Sequence, residues 1–90
     1  MAVIYNKIAI IGMGLIGASI AKSVRRAGLA TVIAGYDADS AAMADVAELR
    51  LVDELAETAA AAVFDADLVI MAVPVGVVLF SYTHLTLPTT

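Results

Sequence analysis

The sequence predicts an α/β fold in which helices alternate with the strands of a doubly wound parallel sheet. Three observations support this: a short apolar run before a glycine-rich turn, an amphipathic helix pattern after it, and a second apolar run that ends at an aspartate. We expect about four strands, in the order 3-2-1-4. A chain of 90 residues is long enough for one small domain at most.

The first strand is predicted over Lys7 to Ile11, because nearly continuous Ile and Ala content is typical of a strand buried on both faces of a parallel sheet. The letters G-M-G-L-I-G follow at positions 12–17 and match the G-x-G-x-x-G pattern of a phosphate-binding turn. Gly12 allows a sharp turn out of the strand, Gly14 lets the main chain approach a phosphate, and Gly17 lets the next helix pack closely on the strand.

The other three residues of the turn, Met13, Leu15 and Ile16, belong to the same predicted binding site. We expect the backbone N–H groups of Leu15 and Ile16 to face the ligand, because the start of a helix favours a diphosphate. A tight turn before a packed helix would explain the glycines alone. Their context, with a strand before and a helix after, instead predicts a truncated Rossmann-type sheet that binds a dinucleotide.

Helix one is predicted from about Leu15 to Ala27, since apolar residues recur every three or four positions and Gly28 is a natural stop after the helix. Arg25 and Arg26 favour the negative end of the helix, and we interpret them as a solvated last turn. Strand two is predicted over Thr31 to Tyr36.

Asp37 ends the second strand and follows Gly17 by twenty residues. A carboxylate at this place can accept hydrogen bonds from both hydroxyls of an adenosine ribose. It would repel a 2′-phosphate, and neither Ala38 nor Asp39 supplies a cation to hold one. This charge argument predicts NAD as the cofactor, with NADP less favoured, although Ser40 could still donate a hydrogen bond to a phosphate.

Ser40 is the predicted N-cap of a second, alanine-rich helix that ends near positions 49–50. Leu51 and Val52 are predicted to form a very short third strand. The stretch from Asp53 to Phe64 is predicted to be a loop and a short third helix, and we interpret its acidic residues as solvated.

The fourth strand is predicted over Leu68 to Val73, a fully apolar run that ends at Pro74. Proline has no backbone N–H to donate to a neighbouring strand, so pairing is expected to stop there. In the order 3-2-1-4 this strand lies beside strand one, so its carboxyl end reaches the crevice where a dinucleotide crosses the sheet. Val73 and Pro74 are therefore candidate cofactor-binding residues, with an ordinary strand end as an equal alternative. Strand four is expected to lie at an open edge of the sheet.

Composition excludes several functions. A net charge of −4 with five basic residues leaves no electrostatic footprint for nucleic acid or an anionic membrane. The longest apolar run, Leu68 to Phe80, contains Pro74 and is shorter than the roughly 20 residues of a membrane-spanning helix. The chain has no cysteine and His84 is its only histidine, so we expect no metal site and a soluble protein of the reducing cytoplasm.

The last ten residues, Ser81 to Thr90, differ from the rest of the chain, since four of them are threonine against two in the first eighty. They resemble a translated transposase sequencing adapter, one frame of which reads as Ser81 to Thr89. We expect a partial dinucleotide-binding domain over residues 1–80, a non-native tail over 81–90, and no catalytic role for His84. A genuine polar linker is the alternative.

Five segments match sequence motifs of one enzyme family: G-M-G-L-I-G-A-S-I-A-K-S at 12–23, R-R-A-G at 25–28, G-Y-D at 35–37, L-V-D-E at 51–54 and D-L-V-I-M-A-V-P-V at 67–75. In their order and spacing, from Ile8 to about Val77, the chain resembles the nucleotide-binding domain of prephenate and arogenate dehydrogenases. These are the oxidoreductases of tyrosine biosynthesis. The L-I-G-x-S form of the turn is more discriminating than the glycines alone.

The resemblance implies an NAD(P)-dependent oxidative decarboxylation, in which a ring carbon gives hydride to the nicotinamide and loss of carboxylate aromatises the ring. In the family a histidine base follows later in the nucleotide domain, and an all-helical dimerisation domain supplies the rest of the site. We therefore expect no catalytic residue on this chain, no activity from it alone, and a small-molecule substrate and homodimer only for the full-length protein.

One position departs from the family pattern. Several members place Ser or Cys two residues before the proline that ends strand four, where it faces the substrate hydroxyl, and this sequence has Ala72. Two other hypotheses stay open. The chain could belong to another NAD(P)-dependent dehydrogenase or reductase, such as a hydroxyacid dehydrogenase or a pyrroline-carboxylate reductase, or it could be a dinucleotide-binding module without catalysis.

Overall fold

The fold is a single sheet with helices packed against it. The computed structural model describes residues 4–73 and 76–81. The strands are β1 (Tyr5–Ile11), β2 (Ala30–Tyr36), β3 (Glu54–Leu55), β4 (Leu68–Val73) and β5 (Gly76–Ser81). The helices are α1 (Leu15–Ala27), α2 (Ser40–Leu49) and α3 (Ala59–Val63). The strand order in the sheet is β3-β2-β1-β4-β5.

β1 is the central strand and pairs in parallel with β2 on one side and β4 on the other. Ile10 lies opposite Gly35 of β2 and Ile70 of β4. Ile8, Ala9 and Ile10 are at most 1% exposed, as expected for a strand covered on both faces. The predicted α/β fold and the order 3-2-1-4 are confirmed, and the carboxyl ends of the parallel strands share one edge of the sheet.

Helices cover both faces of this sheet. On one face α1 and α2 enclose the larger buried cluster, and on the other α3 brings Ala62 against Ala9 and Ala66. The larger cluster consists of Ile8, Ile10, Met13, Ala21, Val24, Ile33, Val46, Leu51 and Ile70. Burial on two faces is the arrangement that a doubly wound sheet requires, and it anchors the glycine turn through Met13.

The N-cap predicted for the second helix is off by one residue. Asp39, not Ser40, occupies the cap position, and its carboxylate accepts a hydrogen bond from the backbone N–H of Ala41 at 2.9 Å. Aspartate and serine are both favourable caps. The sequence pattern alone therefore could not choose between two neighbouring candidates.

The third strand also differs from the prediction, because it pairs at Glu54–Leu55 rather than at Leu51 and Val52. Arg50 ends α2 in a left-handed conformation with φ of 53°, a common way to stop a helix. Leu51 then turns into the core at 8% exposure. The apolar pair after the helix is therefore used for packing, and extended pairing with β2 begins later.

The prediction that strand four lies at the edge of the sheet is wrong, because a fifth strand covers it. β5 runs antiparallel to β4, with Leu68 opposite Ser81 and Val73 opposite Gly76. The long apolar run thus supplies two strands, while positions 74–75 lie outside the described residues. Ser81, the first residue of the predicted tail, is the last residue of β5.

Two carboxylates of the loops bind backbone amides. Asp53, which we interpreted as solvated, accepts a hydrogen bond from the N–H of Ile33 at 2.8 Å and one from the guanidinium of Arg25 at 3.2 Å. Asp67 accepts a hydrogen bond from the N–H of Asn6 at 2.5 Å. The last turn of α1 is therefore tied to the loop before β3, and the loop before β4 is tied to β1.

Candidate functional site

The carboxyl ends of β1, β2 and β4 border one cleft of about 420 Å³. Its lining residues come from the glycine turn, the start of α1 and the ends of β2 and β4: Gly12, Gly14, Leu15, Ile16, Gly17, Asp37 and Ala72. Six of the nine residues predicted from the sequence thus surround one space. Of the others, Met13 lies buried beneath the turn, Val73 ends β4, and Pro74 lies outside the described residues.

Gly12 makes the sharp turn out of β1. Its φ is +98°, a conformation that residues with a Cβ rarely adopt. A Cβ built at this residue would lie 2.3 Å from the carbonyl oxygen of Ala72. Its own N–H donates to the carbonyl of Tyr36 at 2.8 Å. The turn is thus fixed between the ends of β2 and β4, and the fold requires glycine there.

Glycine is required at position 17 because the first turn of α1 lies close to the backbone of Gly12 there. A Cβ at this position would lie 1.8 Å from the carbonyl oxygen of Gly12 and 3.6 Å from Cγ2 of Ile10. The first turn of α1 therefore packs directly on the glycine turn, and through it on β1. This is the close helix packing that the sequence predicted for Gly17, with the carbonyl of the turn as the nearest obstacle.

Gly14 stands in contrast to both. A Cβ built there has no other atom within 4 Å, and the φ of −77° suits any residue. Nothing in the described fold requires glycine at this position. Its lack of a side chain only keeps the space in front of the start of α1 open, so any requirement for glycine would come from a bound group.

The start of α1 lacks the side-chain acceptor that the other helices have. Asp39 caps α2, and Thr58 caps α3 by accepting a hydrogen bond from the N–H of Ala61 at 3.0 Å. The N-cap residue of α1 is Gly14, which provides no side-chain cap, and the first turn of α1 has no acidic residue. The first N–H groups of a helix have no partner within the helix, so those of α1 can serve an anion from outside the chain.

Asp37 is held by two backbone amides. One carboxylate oxygen, Oδ2, accepts a hydrogen bond of 2.7 Å from the N–H of Met13 in the glycine turn. The other, Oδ1, accepts one of 2.7 Å from the N–H of Asp39. The sequence predicted that this carboxylate stands beside the turn. It gave no indication of the bond to Met13, which depends on how two loop ends meet across the sheet edge.

Met13 was predicted as a binding residue, and the structure places its side chain in the core at 3% exposure. Its sulfur packs beside Gly35, where an added Cβ would lie 3.1 Å from the sulfur and 3.1 Å from a methyl of Val52. Gly35 therefore makes room for this packing under the helices. The backbone N–H of Met13, rather than its side chain, reaches the edge of the cleft.

A second cleft of about 510 Å³ lies on the other side of Asp37, and sequence reasoning did not identify it. It is bordered by the end of β2, the first turns of α2 and the loop after β3: Tyr36, Asp37, Ala38, Ser40, Met43, Ala44, Leu55, Ala56 and Glu57. Apolar and small side chains dominate this lining. Among the described residues, Asp37 is the one that borders both clefts, so it lies at their boundary.

The charge around the two clefts is negative or neutral. Asp37 borders both and Glu57 borders the second, and neither Lys nor Arg appears among the described residues that line them. Ser40 contributes a hydroxyl to the second cleft. A phosphate monoester beside Asp37 would meet a carboxylate without a cation to offset it.

A family model described as the nucleotide-binding domain of prephenate dehydrogenase matches residues 20–86 of the chain. The chain belongs to this family. Membership makes it a dinucleotide-binding module of a dehydrogenase with a Rossmann-like fold. The match begins within α1, after the glycine turn. The geometry of the turn is therefore evidence for dinucleotide binding that does not depend on the family match. A comparison with curated proteins gave no match.

Over residues 4–73 and 76–81, none of the helices has the length and apolar character needed to cross a bilayer. Over the same residues, no three His, Asp or Glu side chains come together as ligands for a metal ion.

Proposed function

We propose that the chain binds NAD as the nucleotide-binding part of a prephenate or arogenate dehydrogenase. The observation that supports this most directly is the cleft in which Asp37 stands beside an uncapped helix start, in a chain of that family. When bound, NAD would supply the hydride acceptor for oxidation of the substrate. The residues of this chain would bind and orient it.

The diphosphate of the cofactor is assigned to the open space at Gly14. The first-turn N–H groups at Leu15 and Ile16 are available there because α1 has no side-chain cap. The partial positive charge of a helix start favours an anion, and a residue without a Cβ lets the main chain approach it. Leu15 is 91% exposed, so little of the described protein packs against this residue.

The adenosine of the cofactor is assigned to Asp37 and the second cleft. Each oxygen of the carboxylate accepts one backbone hydrogen bond, and a carboxylate has about four lone-pair sites. Acceptor capacity therefore remains for ribose hydroxyls. The apolar lining of the second cleft, which includes Met43 and Leu55, suits the faces of an adenine ring.

The same geometry supports NAD over NADP. Asp37 cannot turn away from a 2′-phosphate without breaking its bonds to Met13 and Asp39. No basic residue among those described at the clefts would offset the repulsion. The hydroxyls of Tyr36 and Ser40 are the uncharged donor side chains among the described residues of the second cleft, and a hydroxyl is weak compensation for an unbalanced anion.

The nicotinamide and the substrate are assigned to the Ala72 side of the first cleft, at the end of β4. Following the family resemblance, we propose that the general base and the groups that hold the substrate carboxylates come from a histidine later in the nucleotide domain and from a helical dimerisation domain. In this proposal residues 1–80 belong to the nucleotide domain, and residues 81–90 form a non-native tail.

The cofactor assignment is tested by titrating the ¹⁵N-labelled chain with NAD and with NADP at one fixed salt concentration. We expect the amide signals of Leu15 and Ile16 to move on saturation with NAD, and NADP to bind more weakly. A folded chain that binds NAD without moving these signals would contradict the assigned phosphate site. Tighter binding of NADP would contradict the role of Asp37.

The enzyme assignment needs the full-length protein and a separate assay. We expect NADH absorbance to rise when that protein, NAD and either prephenate or arogenate are mixed. A protein that binds NAD tightly and oxidises neither compound would support the alternative of a non-catalytic module or of a dehydrogenase with another substrate.

A further inference from the structure

We propose that Asp37 is a positioning residue for the phosphate site as well as a partner of the ribose. In this proposal its carboxylate holds the glycine turn in its binding shape before any cofactor arrives. The inference rests on the proposed function, because it concerns the same dinucleotide site. It adds that one carboxylate organises two parts of that site.

The carboxylate contacts the turn at the residue between its first two glycines. Met13 lies between Gly12 and Gly14, and glycine restricts the backbone least of all residues. The N–H of Met13 donates to Oδ2 of Asp37 at 2.7 Å. A hydrogen bond to an ionised acceptor is stronger than one between neutral groups, so this bond adds to the burial of the Met13 side chain in restraining the peptide between two glycines.

The carboxylate is itself fixed from a second direction. Its Oδ1 accepts a 2.7 Å hydrogen bond from the N–H of Asp39, and the side chain of Asp39 caps α2 through the N–H of Ala41. The restraint on Met13 therefore extends to the start of α2. Since α1 has no side-chain cap, Asp37 is the side-chain acceptor that the structure gives to the turn before α1.

The consequence concerns ligands that have no ribose hydroxyl. If Asp37 acted only on the ribose, its replacement would leave the binding of such ligands unchanged, or would improve it by removing a negative charge near a diphosphate. If Asp37 also positions the turn, their binding must weaken. The diphosphate probe 2′,3′-dideoxy-ADP separates these outcomes, because it carries the phosphates and the adenine without either hydroxyl.

The test compares Asp37→Ala, which removes both acceptor oxygens, with Asp39→Asn in the full chain. Both variants remove one negative charge, and they are two residues apart. The side chain of Asp39 borders neither of the two clefts, and asparagine remains a favourable N-cap. We expect Asp37→Ala to weaken 2′,3′-dideoxy-ADP binding about fivefold to tenfold, the loss expected for one hydrogen bond to a carboxylate. Asp39→Asn should bind it as tightly as the unsubstituted chain, or slightly more tightly.

Two results would overturn the inference while leaving the proposed function intact. The first is a loss of NAD affinity in Asp37→Ala with unchanged affinity for 2′,3′-dideoxy-ADP. The second needs no variant: the Met13 amide of the unsubstituted, ligand-free chain would exchange its hydrogen as fast as an unprotected amide. We expect it to be protected. Failure of the unsubstituted chain to bind NAD, with a protected Met13 amide, would instead contradict the proposed function.

Discussion

The carbonyl oxygen of Ala72 lies 2.3 Å from the place that a Cβ on Gly12 would occupy. This close approach joins the end of β4 to the end of β1, at the edge of the sheet where the first cleft opens. Gly12 and Gly14 are only two residues apart, yet the structure gives them different roles. One is required by the fold, while the other leaves space that the fold does not use.

The first prediction follows from that difference. Gly12→Ala combines a φ of +98° with overlap against a backbone oxygen, and we expect it to lower the free energy of unfolding by at least about 2 kcal/mol. Gly14→Ala meets no atom within 4 Å, so its effect on stability should stay within about 1 kcal/mol. Chemical denaturation followed by circular dichroism gives both values.

The Gly14→Ala variant is also the matched test of the phosphate site. We expect it to remain folded and to bind NAD about tenfold more weakly, because the added methyl keeps the diphosphate from the main chain. Isothermal titration calorimetry measures the change. Unchanged affinity for NAD in a folded Gly14→Ala chain would contradict the assigned position of the diphosphate.

Cofactor preference gives a second prediction, at Asp37. Asp37→Ala removes the ribose acceptor, so we expect NAD affinity to fall about tenfold. The affinity for NADP should fall less or rise, since the carboxylate that repels the 2′-phosphate is gone. Titrations with both dinucleotides at one salt concentration give the ratio, and a ratio that does not move toward NADP would contradict the charge argument.

How much of the structure could be predicted from the sequence depends on how far apart in the chain the interacting residues lie. Spacing and residue type placed Gly12, Gly17 and Asp37 correctly, because a tight turn, a close packing contact and a strand end are local features. The bond between Met13 and Asp37 was not predictable in this way. It spans 24 residues in sequence and forms only when β1 and β2 align in their observed register.

The fifth strand shows the same limit for the fold. Pro74 is a clear signal that a strand stops, and the interpretation of the domain as truncated after this strand led to an expected open edge at β4. The antiparallel return of β5 depends on pairing partners such as Ile70 and Leu79, which a stop signal does not reveal. Similarly, Leu51 and Val52 had the composition of a strand, but the left-handed turn at Arg50 directs Leu51 into the core.

The third prediction concerns the carboxylate of Asp53. This group accepts hydrogen bonds from the amide of Ile33 and from Arg25, and the Arg25 and Asp53 side chains are 47% and 38% exposed. Solvent screening makes such an ion pair worth less than about 1 kcal/mol. We therefore expect Arg25→Ala to cost less than that, and Asp53→Ala to cost about 1 to 2 kcal/mol because the Ile33 amide also loses its partner. Denaturation midpoints distinguish the two variants, and equal losses would show that the bond to Ile33 contributes little.

The fourth prediction tests the boundary proposed at residue 81. The family match continues to residue 86, and β5 ends at Ser81. A chain that ends after Ser81 keeps every described strand, so we expect it to bind NAD with the same affinity as the 90-residue chain. Calorimetry on both chains measures this. A clear loss of affinity in the shorter chain would mean that residues 82–90 contribute to the domain.

The fifth prediction concerns β5 as the edge of the sheet. Its apolar side chains are exposed on both faces, with Val78 at 45% and Leu79 at 60% exposure. An edge strand of this kind offers unpaired backbone groups and apolar surface to another copy. We expect Leu79→Lys to raise the concentration at which the chain associates, measured by light scattering over a dilution series. Leu49→Lys is the matched control, because Leu49 is also 60% exposed but lies at the end of α2. If both variants reduced association equally, added charge rather than the strand edge would be the cause.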